Sequence, residues 1–334
     1  MNDAMRAVHA RPSGAAFDAA VPAGGYAWWY VDAVSDDGRD GITIIAFIGS
    51  VFSPYYAAAR RRAAAALADP LEHCALNVAL YGRHRRWTMT ERGRGSVHAT
   101  AATLAIGPSA LAWDGATLTI RFDEITAPLP SRVRGCLRLV PTTLLGHDYA
   151  LDAAGVHRWT PLAPLARAEV ELEQPRLRWR GSGYLDMNRG AVSLESAFRR
   201  WDWARLQLAG GDAAILYDVE RADRSRFGLA LRIGAAHGDV QRLAAPPQVR
   251  LPTSRWGVPR MTRTDAGHAA TCLRSLEDGP FYARALLDTH LFGETARGVH
   301  ETVSLERFRQ RWVQHLLPFR VPRRARAVVA LPHG

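Results

Sequence analysis

The segment YAWWYVDAV at residues 26–34 is followed by the turn SDDGRDG at residues 35–41 and by the uncharged run ITIIAFI at residues 42–48. Aromatic and β-branched residues favour strands, and a Gly- and Asp-containing turn between two such runs is typical of a β-hairpin. Similar runs lie at residues 74–81, 86–91, 103–106, 118–122, 133–141, 177–180, 205–208, 213–220, 227–233 and 248–251. Many short strands separated by Gly, Pro or Asp predict a mainly β protein, built as antiparallel β-barrels or sandwiches.

Helical patterns are few in this sequence. The alanine- and arginine-rich residues 55–67 follow Pro54 and predict one short helix. Residues 304–317 predict a C-terminal amphipathic helix, because Ser304 precedes it, Pro318 follows it, and apolar residues recur three or four positions apart. These apolar residues are Leu305, Phe308, Trp312 and Leu316. We expect this helix to pack against a sheet, with membrane docking as the alternative.

The length of 334 residues favours two domains. The Gly- and Arg-rich residues 181–190 close one series of strands, and a second series begins at Phe198. We therefore predict an N-terminal domain at residues 18–192 and a C-terminal domain at residues 193–324.

The composition describes a folded, basic protein. Hydrophobic residues make up 48% and charged residues 22% of the chain, which argues against intrinsic disorder. The chain has no lysine, so all 43 basic residues are arginines, and against 32 acidic residues they give a net charge of +11. Arginine clusters at residues 60–62, 83–86 and 320–326 fit a solvated surface, anionic lipid or nucleic acid. No aromatic-interleaved RNA signature or helix-turn-helix pattern accompanies them, so we expect no nucleic-acid partner.

Cysteine usage and hydropathy predict a cytoplasmic protein. Cys74, Cys136 and Cys272 form no CxxC pair, so we expect neither a disulfide framework nor a cysteine-rich zinc site. The first 17 residues lack the apolar stretch of a signal peptide. Residues 41–59 are uncharged, but Gly49, Ser50, Ser53 and Pro54 interrupt them, which argues against a membrane-spanning helix.

The sequence lacks the common motifs for nucleotide binding, zinc proteolysis and α/β-hydrolase catalysis. Two pairs of polar and aromatic residues stand instead at a spacing of two, His157 with Trp159 and Tyr184 with Asp186. On extended strands each pair would share one face, as would the two indoles of Trp201-Asp202-Trp203. The pairs fit an apolar pocket with a few polar groups. They fit equally well core aromatics, a surface histidine and an Asp186 that caps a turn at residues 187–190.

Three longer motifs resemble carotenoid 1,2-hydratases, also called hydroxyneurosporene synthases. The first runs from GGYAWWYVDA at residues 24–33 to GITIIAFIGSVFSPYY at residues 41–56. The second is GYLDMNRG at residues 183–190, with Leu194-Glu195 and Trp201-Asp202-Trp203 after it. The third is LPFRVPR at residues 317–323.

The resemblance implies a two-domain, lipocalin-like fold and the addition of water to the terminal C1=C2 bond of an acyclic carotenoid such as neurosporene or lycopene. It implies no redox or other cofactor, and we expect no metal. The family's functional residues correspond to His157, Trp159, Tyr184 and Asp186. We expect Asp186 to be the acid, because an apolar surrounding keeps a carboxyl group protonated. Trp159 would stabilise a cation through its ring, while Tyr184 or His157 would move protons.

The same resemblance suggests substrate-binding residues and a membrane partner. We expect aromatic side chains to line the path of the substrate; these are Trp28, Trp29, Tyr30, Phe52, Tyr55, Tyr56, Trp201 and Trp203. A membrane-dissolved substrate further implies peripheral attachment to the inner or photosynthetic membrane, aided by the arginine clusters. A non-catalytic, lipocalin-like isoprenoid carrier and a nucleic-acid-binding protein are the alternatives, and the carrier is favoured if Asp186 is exposed to solvent.

Overall fold

A computed structural model describes residues 15–62 and 68–324. Twenty-two strands run through these residues: β1 (Tyr26–Ser35), β2 (Gly41–Ile48), β3 (Cys74–Tyr81), β4 (Arg86–Arg92), β5 (Val97–Ala99), β6 (Thr103–Ile106), β7 (Ser109–Trp113), β8 (Leu118–Ile125), β9 (Arg132–Pro141), β10 (Tyr149–Ala150), β11 (His157–Gln174), β12 (Leu177–Gly190), β13 (Phe198–Leu208), β14 (Ala213–Arg221), β15 (Arg226–Ile233), β16 (Val240–Arg242), β17 (Gln248–Leu251), β18 (Arg260–Arg263), β19 (Thr271–Asp278), β20 (Tyr282–Leu291), β21 (Glu294–Ser304) and β22 (Arg323–Arg324). The helices in the same ranges are α1 (Pro54–Arg62), α2 (Leu194–Ala197), α3 (Leu305–Phe308) and α4 (Arg311–Arg320). The predicted mainly β class is confirmed.

The described chain divides into two compact units. The first contains the residues up to Ser193 together with those from Leu316 onward, and the second contains Leu194–His315. The first unit holds a 13-stranded sheet in the order β22-β4-β3-β2-β1-β12-β11-β9-β8-β7-β6-β5, with β10 paired to β11. The second holds a seven-stranded sheet in the order β16-β15-β14-β13-β21-β20-β19 and the hairpin β17–β18.

The sheet of the first unit curls, so strands far apart in the order meet across its core. Arg92 on β4 donates to Glu124 on β8 at 2.8 Å, and Ser109 on β7 donates to the same carboxylate at 2.8 Å. Arg92 and Glu124 are both buried. One apolar cluster contains side chains of strands β1, β2 and β3 as well as of strands β6 to β9.

The β1–β2 hairpin predicted from residues 26–48 is present, and its first strand is buried on both faces. Ala27, Trp29, Val31 and Ala33 belong to the apolar core cluster. Since alternate residues point to opposite faces of a strand, residues 26, 28, 30 and 32 lie on the other face. This second face carries the candidate site described below.

Strand β12 is longer than the sequence pattern indicates. We predicted a strand at residues 177–180 and a closing Gly- and Arg-rich segment, whereas β12 continues to Gly190. Glycine permits close packing there: a Cβ on Gly181 would lie 1.9 Å from the carbonyl oxygen of Val34. Asp186 therefore lies within a strand and does not cap a turn.

The C-terminal helical segment differs from the predicted single helix. It is divided at Arg309 and Gln310 into α3 and α4, and Pro318 lies inside α4. Leu305 and Phe308 are buried as predicted, but the break shifts the buried face to Val313 and Leu317. The predicted core residues Trp312 and Leu316 are therefore exposed. Helix α1 agrees with the prediction as far as Arg62, and residues 63–67 lie outside the described ranges.

The end of the described chain returns to the first unit, so the predicted assignment of residues 316–324 to the second domain needs correction. Arg323 and Arg324 pair in parallel with β4, and the Arg323 guanidinium binds the buried carboxylate of Glu91. The backbone nitrogen of Glu91 also donates to the carbonyl oxygen of Pro322 at 3.0 Å. The part of the cluster 320–326 that follows Arg324 lies outside the described residues.

Candidate active site

The two sequence pairs meet on one face of the first unit's sheet. Strand β12 lies between β1 and β11, and the register places Asp186 opposite Tyr30 and Asn188 opposite both Trp28 and Trp159. The predicted catalytic residues His157, Trp159, Tyr184 and Asp186 therefore share the face opposite the apolar core. All four side chains are buried.

Asp186 is held by two donors from this group. The indole Nε1 of Trp159 and the hydroxyl of Tyr184 each donate to Oδ2 of Asp186, both at 2.8 Å. The residue is 4% exposed, which rules out the solvent-exposed carboxyl expected of the carrier alternative. Both donors stabilise negative charge on Oδ2, because a hydrogen bond to the charged form favours that form.

His157 forms a second contact on the same face. Its Nδ1 lies 2.8 Å from the hydroxyl oxygen of Tyr26, and the two rings stack with centroids 5.8 Å apart. Its Nε2 lies 4.0 Å from the carboxylate of Asp152, which also accepts a hydrogen bond from the His157 backbone nitrogen. Burial lowers the pKa of His157 and Asp152 partly opposes this shift, so the imidazole is neutral at pH 7.

Gly190 makes the Tyr26–His157 contact possible. It is the register partner of Tyr26 on one side and of His157 on the other. A Cβ on Gly190 would lie 2.5 Å from Nδ1 of His157 and 2.5 Å from Cε1 of Tyr26. Only a residue without a side chain allows the two rings to meet over β12.

An aromatic row extends from His157 across the sheet. Tyr26 stacks on Trp28 at 4.9 Å, Trp28 lies 6.0 Å from Phe47, and Phe47 packs edge-on against Phe52 at 6.1 Å, all measured between ring centroids. Ring contacts thus link the predicted substrate-binding residues Trp28 and Phe52 to Tyr26 and His157. Tyr30 contacts Tyr184 edge-on at 6.1 Å.

Two predicted substrate-binding residues, Trp29 and Tyr56, lie away from the group around Asp186. Trp29 belongs to the apolar core on the opposite face, where its Nε1 donates to the carbonyl oxygen of Ala15 at 2.7 Å. Tyr56 is buried and donates to the carbonyl oxygen of Gly25 at 2.7 Å, which ties α1 to the start of β1. Neither Trp29 nor Tyr56 belongs to the group around Asp186. Tyr55, which precedes Tyr56 in α1, is half-buried.

The remaining predicted substrate-binding residues lie in the second unit. Trp201 and Trp203 are buried on one face of β13, and Trp201 packs against Phe198 at 6.2 Å. Asp202 points to the other face, where it accepts hydrogen bonds from Thr302 and from the backbone nitrogen of Met261. Burial raises the pKa of Asp202 to about 6.

Sequence reasoning missed Tyr26, Asp152 and Gly190 as site residues. Tyr26, Trp28 and Tyr30 are alternate residues of β1 and therefore lie on one face of the strand. This alternation could have identified Tyr26 as a site residue from the sequence. Gly190 acquires its role only through its pairing with β1 and β11, and no local pattern marks it. Asp152 lies in the turn between β10 and β11, five residues before His157, so its contact with His157 is local in sequence.

Neither a metal cluster nor a membrane-spanning helix is found in the described ranges. Within residues 15–62 and 68–324, no group of three or more His, Cys, Asp or Glu side chains is arranged to hold a metal ion. The helices in these ranges are too short or too polar to cross a bilayer.

Comparison with solved structures defines the class of this fold. The chain resembles an AttH protein from Nitrosomonas europaea, with a TM-score of 0.59 at 15% identity, over 83% of this chain and 92% of that one. It also resembles kievitone hydratase from Nectria haematococca, with a TM-score of 0.52 at 10% identity, over 89% of this chain and 95% of that one. The fold is the lipocalin-like fold of these proteins, as predicted.

Sequence comparison identifies the family. The family model described as carotenoid hydratase CrtC matches residues 44–330. The acyclic carotenoid 1,2-hydratase of Thiocapsa roseopersicina is 54% identical over 93% of this chain and 76% of its own length. That of Cereibacter sphaeroides is 44% identical over 84% of this chain and 98% of its own. The chain belongs to the carotenoid hydratase CrtC family, which confirms the resemblance found in the sequence.

Proposed function

We propose that this protein is a carotenoid 1,2-hydratase, a hydro-lyase that adds water to the terminal C1=C2 bond of an acyclic carotenoid such as neurosporene or lycopene. The observation that carries the proposal is the buried Asp186 carboxyl group, whose Oδ2 accepts hydrogen bonds from Trp159 and Tyr184 at 2.8 Å each. Hydration of an unactivated alkene needs a strong acid in an apolar surrounding, and this group has the required chemistry.

Asp186 is the proton donor in this mechanism. With two donors on Oδ2, we assign the transferred proton to Oδ1. The proton adds to C2 and leaves a tertiary cation at C1, while Asp186 becomes a carboxylate. The hydrogen bonds from Trp159 and Tyr184 strengthen as this negative charge develops, so they stabilise the transition state more than the ground state.

Water completes the reaction at C1. Its oxygen bonds to the cation, and the surplus proton passes to the neutral imidazole of His157, which Tyr26 orients through the 2.8 Å contact at Nδ1. Return of that proton through solvent to Asp186 restores the starting state. The sum is the addition of one water molecule with no change of oxidation state in the protein.

The aromatic row supports binding of a polyene. Trp28, Phe47 and Phe52 continue from Tyr26 in successive ring contacts. Ring faces stabilise a nearby cation and pack well against conjugated chains. In this proposal the carotenoid end lies near Asp186, while Trp201 and Trp203 of the second unit remain predicted substrate contacts.

Peripheral attachment to the cytoplasmic side of the inner or photosynthetic membrane is part of the same proposal. A forty-carbon hydrocarbon dissolves in the bilayer and not in water, so the enzyme must take it from there. Of the first arginine cluster, Arg61 and Arg62 are exposed, whereas Arg60 is buried over the Tyr56 ring at 4.4 Å.

The test is an assay with purified protein, lycopene and water labelled with heavy oxygen. Wild-type protein without added cofactor is expected to give a labelled 1-hydroxy product. Asp186→Asn removes the acidic proton but keeps the shape, so the product should fall below detection. Asp202→Asn changes a buried carboxyl of the second unit and should retain activity. Labelled product from folded Asp186→Asn protein would exclude Asp186 as the acid, and carotenoid binding without turnover by the wild type would favour the carrier function.

A further inference from the structure

Helix α4 carries a stripe of large apolar side chains that contact solvent. Trp312, Leu316 and Phe319 are 41%, 43% and 67% exposed. Residues three and four positions apart lie on one face of a helix, so the three side chains form a continuous line. We call this line the α4 stripe.

The stripe is separate from the face by which the helix packs. Val313 and Leu317 are the buried apolar residues of α4, and each follows a stripe residue by one position. One residue along a helix is a rotation of about 100°. The stripe therefore stays accessible while Val313 and Leu317 anchor the helix.

Positive charge surrounds the stripe. Residues 307–324 contain the arginines 307, 309, 311, 320, 323 and 324 and no acidic residue. Arg311, Arg320 and Arg324 are exposed, and the Arg320 guanidinium lies over the Trp87 ring at 4.6 Å. An apolar stripe flanked by arginines is typical of a helix that lies in the interface of an anionic membrane.

We propose that α4 docks on an anionic bilayer, with Leu316 and Phe319 inserted among the lipids and the neighbouring arginines on the headgroups. The charge selects this occupant over a second copy of the chain, since two stripes in contact would bring the exposed Arg311, Arg320 and Arg324 of both copies together. The proposal gives the carotenoid hydratase a route to its membrane-dissolved substrate, and its biological use rests on that function.

Co-sedimentation with lipid vesicles tests the docking surface. The vesicles consist of phosphatidylcholine alone, or of phosphatidylcholine in which about three-tenths of the lipid is replaced by phosphatidylglycerol. Binding is measured at low and at high salt. The test protein is Leu316→Ser/Phe319→Ser, and the control is Leu129→Ser, because Leu129 is 82% exposed but lies outside the stripe. Phe319→Ser alone replaces the double variant if that protein does not fold.

Wild type and Leu129→Ser should bind anionic vesicles alike, and binding should weaken as salt rises. The double variant should bind at least about tenfold more weakly, because two apolar side chains are no longer transferred from water into the lipid. Equal binding by the double variant would overturn the proposal, as would equal binding of the wild type to neutral vesicles at every salt concentration. A wild-type dimer that the double variant converts to monomer would assign the stripe to self-association instead.

A hydration assay separates this inference from the proposed function. With lycopene in detergent, the double variant should match the wild type, whereas with lycopene in anionic vesicles its rate should fall about as much as its binding. Absence of hydration by the wild type in both systems would refute the proposed function and leave the vesicle-binding result standing.

Discussion

Gly190 is the residue on which the geometry of the candidate site depends most directly. Gly190→Ala places a methyl group within 2.5 Å of both Tyr26 and His157. Their rings must then separate, so we expect hydration to be lost and the free energy of unfolding to fall by about 1–3 kcal/mol. Product formation and urea unfolding measure the two effects.

The matched control for this substitution is Gly183→Ala on the same strand. A Cβ on Gly183 would lie 2.3 Å from Leu139 and 3.2 Å from Ala168 in the apolar core, on the opposite face of β12. It should destabilise the protein comparably and leave activity in the folded fraction. Equal loss of activity in both variants would mean that stability alone accounts for the effect of Gly190→Ala.

Tyr26 is predicted to orient His157. Tyr26→Phe removes the hydroxyl that contacts Nδ1 and should lower the hydration rate about tenfold, which corresponds to about 1.4 kcal/mol. Tyr56→Phe removes a hydroxyl with a similar bond, 2.7 Å to Gly25, and should lower stability without changing the rate constant of folded enzyme. An unchanged rate in Tyr26→Phe, measured by single turnover, would contradict the orienting role.

At this scale, sequence reasoning predicted the side chains but not their partners. The period of two placed His157 with Trp159 and Tyr184 with Asp186. Both Trp28 and Trp29 were predicted to bind the substrate, although adjacent residues of a strand point to opposite faces, and nothing local shows which of the two faces Asp186. That choice depends on which face of β1 meets the apolar core, and the Tyr26–His157 contact joins residues 131 positions apart.

Among the elements, β4 and β8 illustrate how the curled sheet is closed. Arg92→Ala would leave Glu124 buried without its guanidinium partner, so we expect the free energy of unfolding to fall by about 3–5 kcal/mol. Urea unfolding with tryptophan fluorescence provides the measurement. The double variant Arg92→Leu/Glu124→Leu leaves no buried charge and should recover most of the loss; a double variant as unstable as Arg92→Ala would contradict this explanation.

Elements defined by local pattern were predicted well. The β1–β2 hairpin and α1 follow from residues that are neighbours in sequence. The division into α3 and α4 was missed because Ser304–Leu317 keeps an apolar spacing of three to four across the break. The extension of β12 through Gly181 was missed because glycine disfavours strands in isolation, whereas close contact with β1 requires it.

For the whole molecule, stability against pH depends on buried groups with opposite effects. Burial lowers the pKa of His300 to about 4, below its usual 6.5, so the unfolded chain binds a proton first and stability falls as pH drops from 6.5 to 4. Asp202 has a pKa of about 6, above its usual 3.8, so the folded chain binds a proton first and stability rises over a similar range. Each effect amounts to about 3 kcal/mol, and the two act in opposite directions.

Single variants should reveal the two contributions. As pH falls from 6.5 to 4, His300→Gln should gain stability relative to the wild type, and Asp202→Asn should lose stability relative to it. Urea unfolding at pH 4 and pH 7 measures all three proteins. Parallel pH dependence in both variants would contradict the assignment of these groups.

The route of the chain through the two units has a consequence for biosynthesis. Residues 194–315 form the second unit, and the chain then returns so that Arg323 can bind Glu91 and β22 can pair with β4. A ribosome therefore translates the whole second unit before the first can finish its sheet. Until Arg323 emerges, the nascent protein carries Glu91 and the open edge of β4 without their final neighbours, and an unpaired strand edge is prone to pair with another chain.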